Sequence, residues 1–348
     1  MFKWLKRLLP LSLVFVTLAA LVVLWADQQL TRPLNVAGDE YLLDLKPGTG
    51  FSSMARSLAA DQLIDYPVEL LSVYARFAGY AGAIQSGEYR LRPGLNSYDL
   101  LALLVSGEVV RYRATLIEGW TFADLTAYLA AHPDLDKRFD SNAPVWAQLG
   151  IDEPLHENPE GLFFPDTYSF VKGATDIGIM KRAYRRMLSV LDEEWAGRSE
   201  GLPFTDPYEA LILASIVEKE TGQPHERERI AGVFVSRLQK NMRLQTDPTV
   251  IYGLPQVERK NLRSRHLADA SNPYNTYRRK GLPPTPIAMP GRAAIHAALH
   301  PLQDGALFFV AKGDGSHQFS ETLEQHQQAV RDYQLQRRKD YRSSPAKQ

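Results

Sequence analysis

The chain has 348 residues, enough for two or three domains, and its 40 basic and 40 acidic residues give a formal net charge of zero. A balanced charge argues against broad nucleic-acid binding, which needs a basic surface. Cysteine is absent, which excludes a catalytic thiol, a cysteine-based metal site and a lipoprotein anchored through an N-terminal cysteine.

The N-terminus predicts a membrane anchor. Basic residues lie among positions 1–7, and the run from 8 to 26 then contains no charged residue over 19 positions, which is enough to span a bilayer. The positive-inside rule places the first residues in the cytoplasm and exports the rest. A cleaved signal peptide is the alternative, but no A-x-A pattern closes the run, and Trp25 lies where interfacial aromatic residues occur. We therefore predict a retained single-pass anchor.

A small α+β module is predicted next, over residues 38–107, after a linker at 27–37. Strands are expected at 41–45 and 87–91, each followed by a Pro-Gly turn and a helix. The helix-period segments are a stretch containing Met54, Leu58 and Leu63, then 68–77 and 97–105. Because the order strand, turn and helix occurs twice over a short span, the pattern indicates a compact module rather than a long βαβ sheet.

The remainder of the chain also reads as α+β. A strand at 109–117 and a helix at 122–131 are expected first, and apolar helices then alternate with long loops such as 272–290. Loops of that length are usually functional or disordered, and the prolines and aromatic residues of this one favour order. The predicted divisions are a connecting segment at 108–159, a larger domain at 160–336 and a polar tail at 337–348.

A buried helix is predicted from Asp206 to Gly222. Asp206 can cap its start, Glu209 completes a D-x-x-E capping box, and Gly222 suits its end. Glu218 lies in the last turn, where burial and the negative helix end both disfavour a charged carboxylate. A carboxylic acid kept protonated in a cleft can serve as a general acid. Spacing alone leaves open the alternative that Glu218 simply pairs with a surface arginine.

Other constellations give weaker signals. His296 and His300 have the spacing of a helical zinc pair, but Ala297 stands where the metalloprotease motif has Glu, and no carboxylate or cysteine cluster accompanies them. We therefore predict no metal site. His317 beside a glycine-rich turn fits a surface or packing role better than catalysis. With no nucleophile elbow and no P-loop, acid chemistry by a carboxylate is the best-supported enzymatic option.

Five motifs in order carry a family resemblance: EGLFFPDTY at 160–168, ASIVEKET at 214–221, LQTDPTVIYG at 244–253, PYNTY at 273–277 and GLPPTPIAMPG at 281–291. Together with the anchor, they make nearly the whole chain similar to the endolytic murein transglycosylase family. In the GLPPTPIAMPG loop, Thr285 and Met289 replace a Gly and an Asn that are common in that family.

The resemblance implies a lytic transglycosylase, which is a carbon-oxygen lyase, in the bacterial inner membrane with a periplasmic catalytic domain. Its substrate would be nascent peptidoglycan, cut between N-acetylmuramic acid and N-acetylglucosamine to leave 1,6-anhydro-muramyl ends and so terminate strand elongation. No cofactor is needed for this reaction. Peptidoglycan synthases of the penicillin-binding type are the protein partners that the family implies, and the module at 38–107 resembles a glycan-binding LysM segment. A purely structural spacer is the alternative for that module.

The resemblance assigns the catalytic role to Glu218, which would protonate the leaving oxygen and then accept the proton of the sugar's own 6-hydroxyl. Glu220 points about 200° away on a regular helix, so we expect it to make a supporting bond, for example with an arginine of 226–237. The residues expected to line the sugar groove are Gln245, Thr246, Asp247, Tyr252, Asn275, Thr276 and Tyr277. The alternative is that Asp247-Pro248 and Asn272-Pro273 only shape turns and that these residues do not bind sugar. A non-catalytic glycan-binding scaffold of the elongation machinery is the alternative function.

Overall fold

The structure, a computed structural model, describes residues 2–335 apart from 221, 222, 256, 258, 260 and 261, and side chains from residue 13 onward. Its fold is mixed α+β. The helices are α1 (Phe2–Leu30), α2 (Phe51–Ala60), α3 (Val68–Phe77), α4 (Ser97–Ser106), α5 (Phe122–Ala131), α6 (Val145–Leu149), α7 (Asp176–Ala196), α8 (Pro207–Glu220), α9 (Arg227–Gln239), α10 (Asp247–Tyr252), α11 (Ser264–Ala268), α12 (Arg292–Leu299) and α13 (Leu323–Val330). A 3₁₀ turn covers Pro224–Glu226, and a π-helical turn covers Arg331–Leu335.

Within the described part of the chain, the strands form three two-stranded sheets. They are β1 (Tyr41–Leu45), β2 (Gly87–Leu91), β3 (Tyr112–Thr115), β4 (Thr167–Phe170), β5 (Phe308–Ala311) and β6 (His317–Ser320). The sheets pair β1 with β2, β3 with β4, and β5 with β6. The chain divides into two compact units, the first reaching residue 112 and including 169–173, and the second containing the rest. Most of the segment at 108–159, predicted to be a connection, therefore belongs to the second unit.

Helix α1 is long and apolar enough to cross a membrane. Its window Leu13–Leu30 has a mean hydropathy of 1.8 and is 11% buried. The helix continues past the predicted span into the predicted linker, and its last turn packs inside the first unit. Leu30 and Leu34 are both buried in the core of that unit, and the Tyr98 hydroxyl donates to Asp27 Oδ1 at 2.8 Å. Apolar residues within the linker explain why this stretch is ordered.

The first unit confirms most of the predicted module elements, although α2 ends at Ala60 and leaves Leu63, which the predicted segment included, buried in the turn that follows. β1, α3 and β2 occupy the predicted residues, and α4 ends one residue later than expected. β1 and β2 pair antiparallel in a register that places Tyr41 opposite Leu91. Inward-facing Leu43 and Leu45 contribute to the core with the apolar faces of α2 and α3. Asn96 and Asp99 form a complete capping box at the start of α4.

In the second unit, α8 is the buried central helix, and it packs on α7, α9, α10 and α12. Asp206 caps it as predicted, since its carboxylate accepts from the Glu209 N–H at 3.0 Å. Glu209 bonds the Thr205 N–H at 2.6 Å instead of closing the predicted box with Asp206. The helix is described as far as Glu220, and the predicted end at Gly222 lies outside the described residues.

The long loop is ordered by its own polar groups. Residues 269–291, all of which the structure describes, contain neither helix nor strand, yet many of their side chains are buried. The Ile287 N–H donates to the buried Ser215 hydroxyl at 3.0 Å, which ties the loop to the middle of α8. Thr285 is also buried, and its hydroxyl meets that of Tyr274 at 2.9 Å. The loop therefore packs along one side of α8.

The strand predicted at 109–117 is shorter in the structure, where β3 covers only Tyr112–Thr115.

Candidate active site

Glu218 lies half-buried in the last turn of α8. Its Oε2 accepts a hydrogen bond from the Gly291 N–H at 3.1 Å. Burial raises the pKa of Glu218 above its usual range, and the nearby Glu118 carboxylate raises it further. The Gly291 bond and the positive charges of Arg227 and Lys219 lower it, but the raising effects dominate. A carboxyl group of this kind stays protonated at higher pH than an exposed glutamate.

Glu118 reaches the same place from the loop that precedes α5. A Cβ built on Gly291 would lie 1.9 Å from the Glu118 Oε1, so this carboxylate occupies the space that the absent side chain leaves. The two chain segments are joined by backbone bonds, from the Gly119 N–H to the Met289 carbonyl at 2.9 Å and from the Met289 N–H to the Trp120 carbonyl at 2.7 Å. Gly291 thus lies between two carboxylates.

Sequence reasoning missed Glu118 as a site residue. The available signal was an acidic residue in the short turn between a strand and a capped helix, just before the Thr121–Asp124 capping box of α5. The replacements at Thr285 and Met289 lie inside the protein, since these side chains are 4% and 0% exposed. Met289 nevertheless contributes its backbone to the positioning of Glu118.

Glu220 lies apart from Glu218, as the helical spacing predicted. Its carboxylate accepts a bond from the Thr246 hydroxyl, and burial raises its pKa to about 7. Arg237, in the segment predicted to supply a partner, lies close enough to lower that pKa by its charge. The main hydrogen-bond partner is nevertheless Thr246, which sequence reasoning had assigned to the sugar groove.

A cavity of about 540 Å³ opens beside Glu220 and holds four of the predicted groove residues. The Tyr277 hydroxyl donates to Asp247 Oδ1 at 2.7 Å, and the aromatic side chains of Phe308 and Phe309 line the same space. Gln245 is exposed and holds a φ of 53°, in the region that favours glycine, which is a conformation typical of functional loops. The members of the predicted groove in this cavity are Gln245, Thr246, Asp247 and Tyr277.

Asn275 and Thr276 use their polar atoms inside the protein. Asn275 is fully buried, and its amide donates to the carbonyls of His266 at 3.1 Å and Asp269 at 2.6 Å. Its Oδ1 accepts from the Tyr277 N–H at 3.0 Å. The Thr276 hydroxyl accepts from the Thr246 N–H at 3.1 Å. For these two residues the geometry favours the turn-shaping alternative.

Replacing Asn275 with alanine is expected to destabilise the protein by about 2 kcal/mol, because the backbone groups of His266, Asp269 and Tyr277 each lose a hydrogen bond to its buried amide. Thermal unfolding of the full chain in detergent measures the loss. The matched control is Asn142→Ala, since Asn142 is exposed and should change stability by less than about 0.5 kcal/mol. If the variant unfolded at the same temperature as wild type but no longer bound glycan, Asn275 would be assigned to sugar binding instead.

Tyr252 contacts a third carboxylate. Its hydroxyl donates to Glu160 Oε2 at 2.9 Å, and the Phe122 N–H donates to Glu160 Oε1 at the same distance. Glu160 is only 5% exposed, and burial raises its pKa to about 7 in spite of both bonds. Glu160 lies in one of the five motifs but was not among the predicted site residues. Tyr252 therefore links α10 to the start of that motif.

The raised pKa of Glu160 predicts a pH-dependent stability. From pH 4.5 to about 7, the folded state holds a proton that the unfolded chain has lost, so this contribution to stability falls as the pH rises and is constant above that window. Glu160→Gln should abolish this pH dependence. Between pH 5 and pH 8, the free energy of unfolding of the variant should rise relative to that of wild type by up to about 3 kcal/mol. Unfolding at several pH values tests this, with the exposed Glu153→Gln as control. A difference that does not change with pH would contradict the prediction.

The side chain of His317 packs against its neighbours, which is one of the two roles that the sequence predicted. Its Nδ1 and the Oε2 of Glu226 are 2.7 Å apart, and both side chains are 7% exposed. Its ring also meets Phe309 edge-on, with 5.4 Å between the ring centroids. The pair joins β6 to the 3₁₀ turn before α9.

Taken together, a half-buried glutamic acid with a raised pKa beside a second carboxylate is the arrangement that acid catalysis by a carboxyl group requires. The site therefore defines a candidate acid–base enzyme. The model of the YceG-like family matches residues 43–332, and the chain belongs to that family.

Known relatives agree in name and in fold. The endolytic murein transglycosylase of Bacillus subtilis strain 168 is 30% identical over 312 residues, which cover 84% of each chain. That of Streptococcus pneumoniae D39 is 26% identical over 338 residues, covering 86% of this chain and 60% of the pneumococcal protein. The crystal structure of a YceG-like protein from Listeria monocytogenes matches with a TM-score of 0.50 and 26% identity, covering 84% of this chain and 99% of that one.

Proposed function

We propose that this protein is a lytic transglycosylase that cuts the glycan strands of peptidoglycan and that Glu218 is its catalytic residue. Family membership and the shared name of the relatives support the enzyme class. The single observation that supports the assignment of Glu218 is its half-buried carboxyl group, which has one backbone donor and a raised pKa beside Glu118.

The reaction needs one proton donor and one proton acceptor. Protonated Glu218 gives its proton to the glycosidic oxygen as the bond from the muramyl C1 to that oxygen breaks. The 6-hydroxyl of the same muramyl sugar attacks C1 and forms the anhydro bond, and its proton passes to the Glu218 carboxylate. Because the nucleophile belongs to the substrate, no second catalytic carboxylate has to attack or to activate water.

Glu118 has a supporting role in this scheme. Its negative charge beside Glu218 favours the protonated form that begins the reaction. As bond breaking leaves positive charge on the sugar ring, the same carboxylate stabilises that charge. The Gly291 N–H then stabilises Glu218 after it has lost its proton.

The cavity beside Glu220 is proposed to hold a part of the glycan strand away from the cut bond. Its aromatic side chains and the hydroxyl, amide and carboxylate groups of Tyr277, Gln245 and Asp247 suit the apolar faces and the hydroxyl groups of sugars. Asn275, Thr276 and Tyr252 would support this region from within.

Digestion of purified glycan strands by the full chain in detergent tests the function. We expect new 1,6-anhydro-muramyl ends in the mass spectrum of the products. Uncut strands would favour the non-catalytic scaffold, and products with only reducing ends would indicate hydrolysis instead.

We also propose that α1 anchors the protein in the inner membrane with its N-terminus in the cytoplasm and the larger domain in the periplasm. The apolar window of α1 and the basic residues before it support this. Resistance to alkaline carbonate extraction and protease access from the periplasmic side only are the expected results. If the protein cuts strands beside the sites of polymerisation, it would terminate strand elongation and would lie close to a peptidoglycan synthase. Crosslinking in cells tests the association with a synthase.

The module at 38–107 is proposed to be LysM-like and to bind N-acetylglucosamine units. The order β1, α2, α3, β2 supports this, as does a cavity of about 300 Å³ lined by the turns around Gly48 and Gly82. Gly82→Trp should fill the cavity and abolish binding of chitin oligomers, whereas Ser52→Trp, at an exposed position on α2, should not. Equal binding by both variants would favour a structural spacer.

A further inference from the structure

Two histidines and a glutamate come together on the surface of the second unit, away from the acid of α8. His296 and His300 lie one turn apart at the end of α12, and Glu194 lies in the last turn of α7. One potential ligand atom from each residue lies within 4.8 Å of the others. A carboxylate partner for this histidine pair could not be predicted from the sequence, because Glu194 lies 102 positions before His296.

We propose that Glu194, His296 and His300 form a binding site for a divalent transition metal ion of the zinc type. Two imidazoles and one carboxylate are ligands that zinc prefers, and they leave a fourth position for water. Metal–ligand bonds of about 2.0–2.2 Å place tetrahedral ligands about 3.4 Å apart. His296 is 47% exposed, so its ring can rotate to close that spacing.

The present contacts already orient the ligands. The Nδ1 of His296 lies 2.8 Å from Glu194 Oε2, and the two imidazole rings stack with 4.3 Å between their centroids. The Nδ1 of His300 lies 3.5 Å from the Ser199 hydroxyl. The contact with Ser199 leaves the Nε2 of His300 to meet a metal ion, whereas the Nδ1 of His296 would turn from Glu194 Oε2 to the ion.

Charged neighbours hold Glu194 in place. Arg292 bonds Glu194 Oε1 at 2.7 Å and Glu193 Oε2 at 2.5 Å, so one guanidinium faces two carboxylates. Arg186 also acts on Glu193 by its charge, so these two carboxylates are matched by two guanidinium groups. Arg292 holds one oxygen of Glu194 and leaves the other, Oε2, directed at His296. A metal ion would therefore replace the contact between Glu194 Oε2 and the Nδ1 of His296, and it would leave both Arg292 bonds in place.

Such an ion would join α7 to α12. Helix α12 starts one residue after Gly291, whose N–H bonds Glu218. The metal would therefore act on stability and on the placement of Gly291, and it would not touch the substrate. This inference is independent of the proposed reaction, because metal binding is measured without substrate.

Zinc titration of the untagged full chain in detergent, after treatment with a chelator, tests the proposal. We expect one equivalent of Zn²⁺ to bind with micromolar affinity and to raise the unfolding temperature, because the ion binds only the folded site. His296→Ala and His300→Ala should each weaken binding at least tenfold. Cobalt(II) in place of zinc should give the visible absorption of a tetrahedral site.

The matched control is His225→Ala, since His225 is exposed and lies outside the cluster. It should bind zinc as wild type does. Glu194→Gln also removes the ion pair with Arg292. The unfolding temperature of this variant with zinc is therefore compared with that of the same variant without metal, and the rise caused by zinc should be smaller than in wild type. Absence of binding at 100 µM zinc, or equal binding by wild type and the two histidine variants, would overturn the proposal.

Discussion

Glu218→Gln is expected to lower the rate of anhydro-muramyl end formation by about 100- to 10,000-fold. Glutamine keeps the shape of the side chain and an oxygen that can accept the Gly291 N–H, so the fold should be retained. It cannot give a proton to the leaving oxygen or accept one from the 6-hydroxyl. Initial rates of product release, measured by chromatography on purified strands, give the ratio.

The matched control for this prediction is Glu220→Gln, two residues further along the same helix. Glutamine there can still accept the Thr246 hydroxyl bond, and the residue belongs to the other cavity. Its rate should stay within about tenfold of wild type. If Glu220→Gln were inactive and Glu218→Gln active, the catalytic assignment would move to Glu220 and its cavity.

Glu118→Gln is expected to lower kcat by about 10- to 100-fold and to change the pH profile. Removing the negative charge beside Glu218 lowers the pKa of Glu218, because that neighbour favours its protonated form. The alkaline limb of the profile, where the acid loses its proton, should therefore move to lower pH. Rates for wild type and variant, collected from pH 4 to 9, measure the shift.

A purely structural role for Glu118 would lower the rate equally at all pH values. Glu118→Asp, which retains the charge, should recover part of the alkaline activity. Glu153→Gln removes one exposed carboxylate elsewhere in the same unit and should leave the profile in place. If the alkaline limb of Glu118→Gln lay at the same pH as that of wild type, the Glu118 carboxylate would not control the pKa of Glu218.

Local patterns predicted the elements well where side-chain periodicity and turn residues agree. β1, α3, β2 and α5 match the predicted bounds because alternation, Pro-Gly turns and caps act over a few residues. The start of α8 followed from Asp206 in the same way. The linker was less predictable, because Leu30 and Leu34 become buried only through contacts with a module that follows later in the chain.

The candidate site was harder to predict because its parts are distant in sequence. Glu118 and Gly291 are far apart in sequence, with Glu218 between them, and the three meet only when the loop before α5 pairs with the loop before α12. Motif residues near one another in sequence also separate in space, since Gln245 lies at the cavity of Glu220 and Tyr252 bonds Glu160. Glu194 joins the histidine pair for the same reason.

The end of α1 has a mechanical consequence. Leu30 belongs both to that helix and to the core of the first unit, and Tyr98 bonds Asp27 one turn earlier. A rod whose tip is embedded in a folded body cannot swivel against it. With α1 in the proposed transmembrane position, a helix longer than the bilayer is thick would tilt, and the first unit would tilt with it. In that proposed arrangement, bilayer thickness would set the angle between the first unit, with its cavity near Gly82, and the membrane.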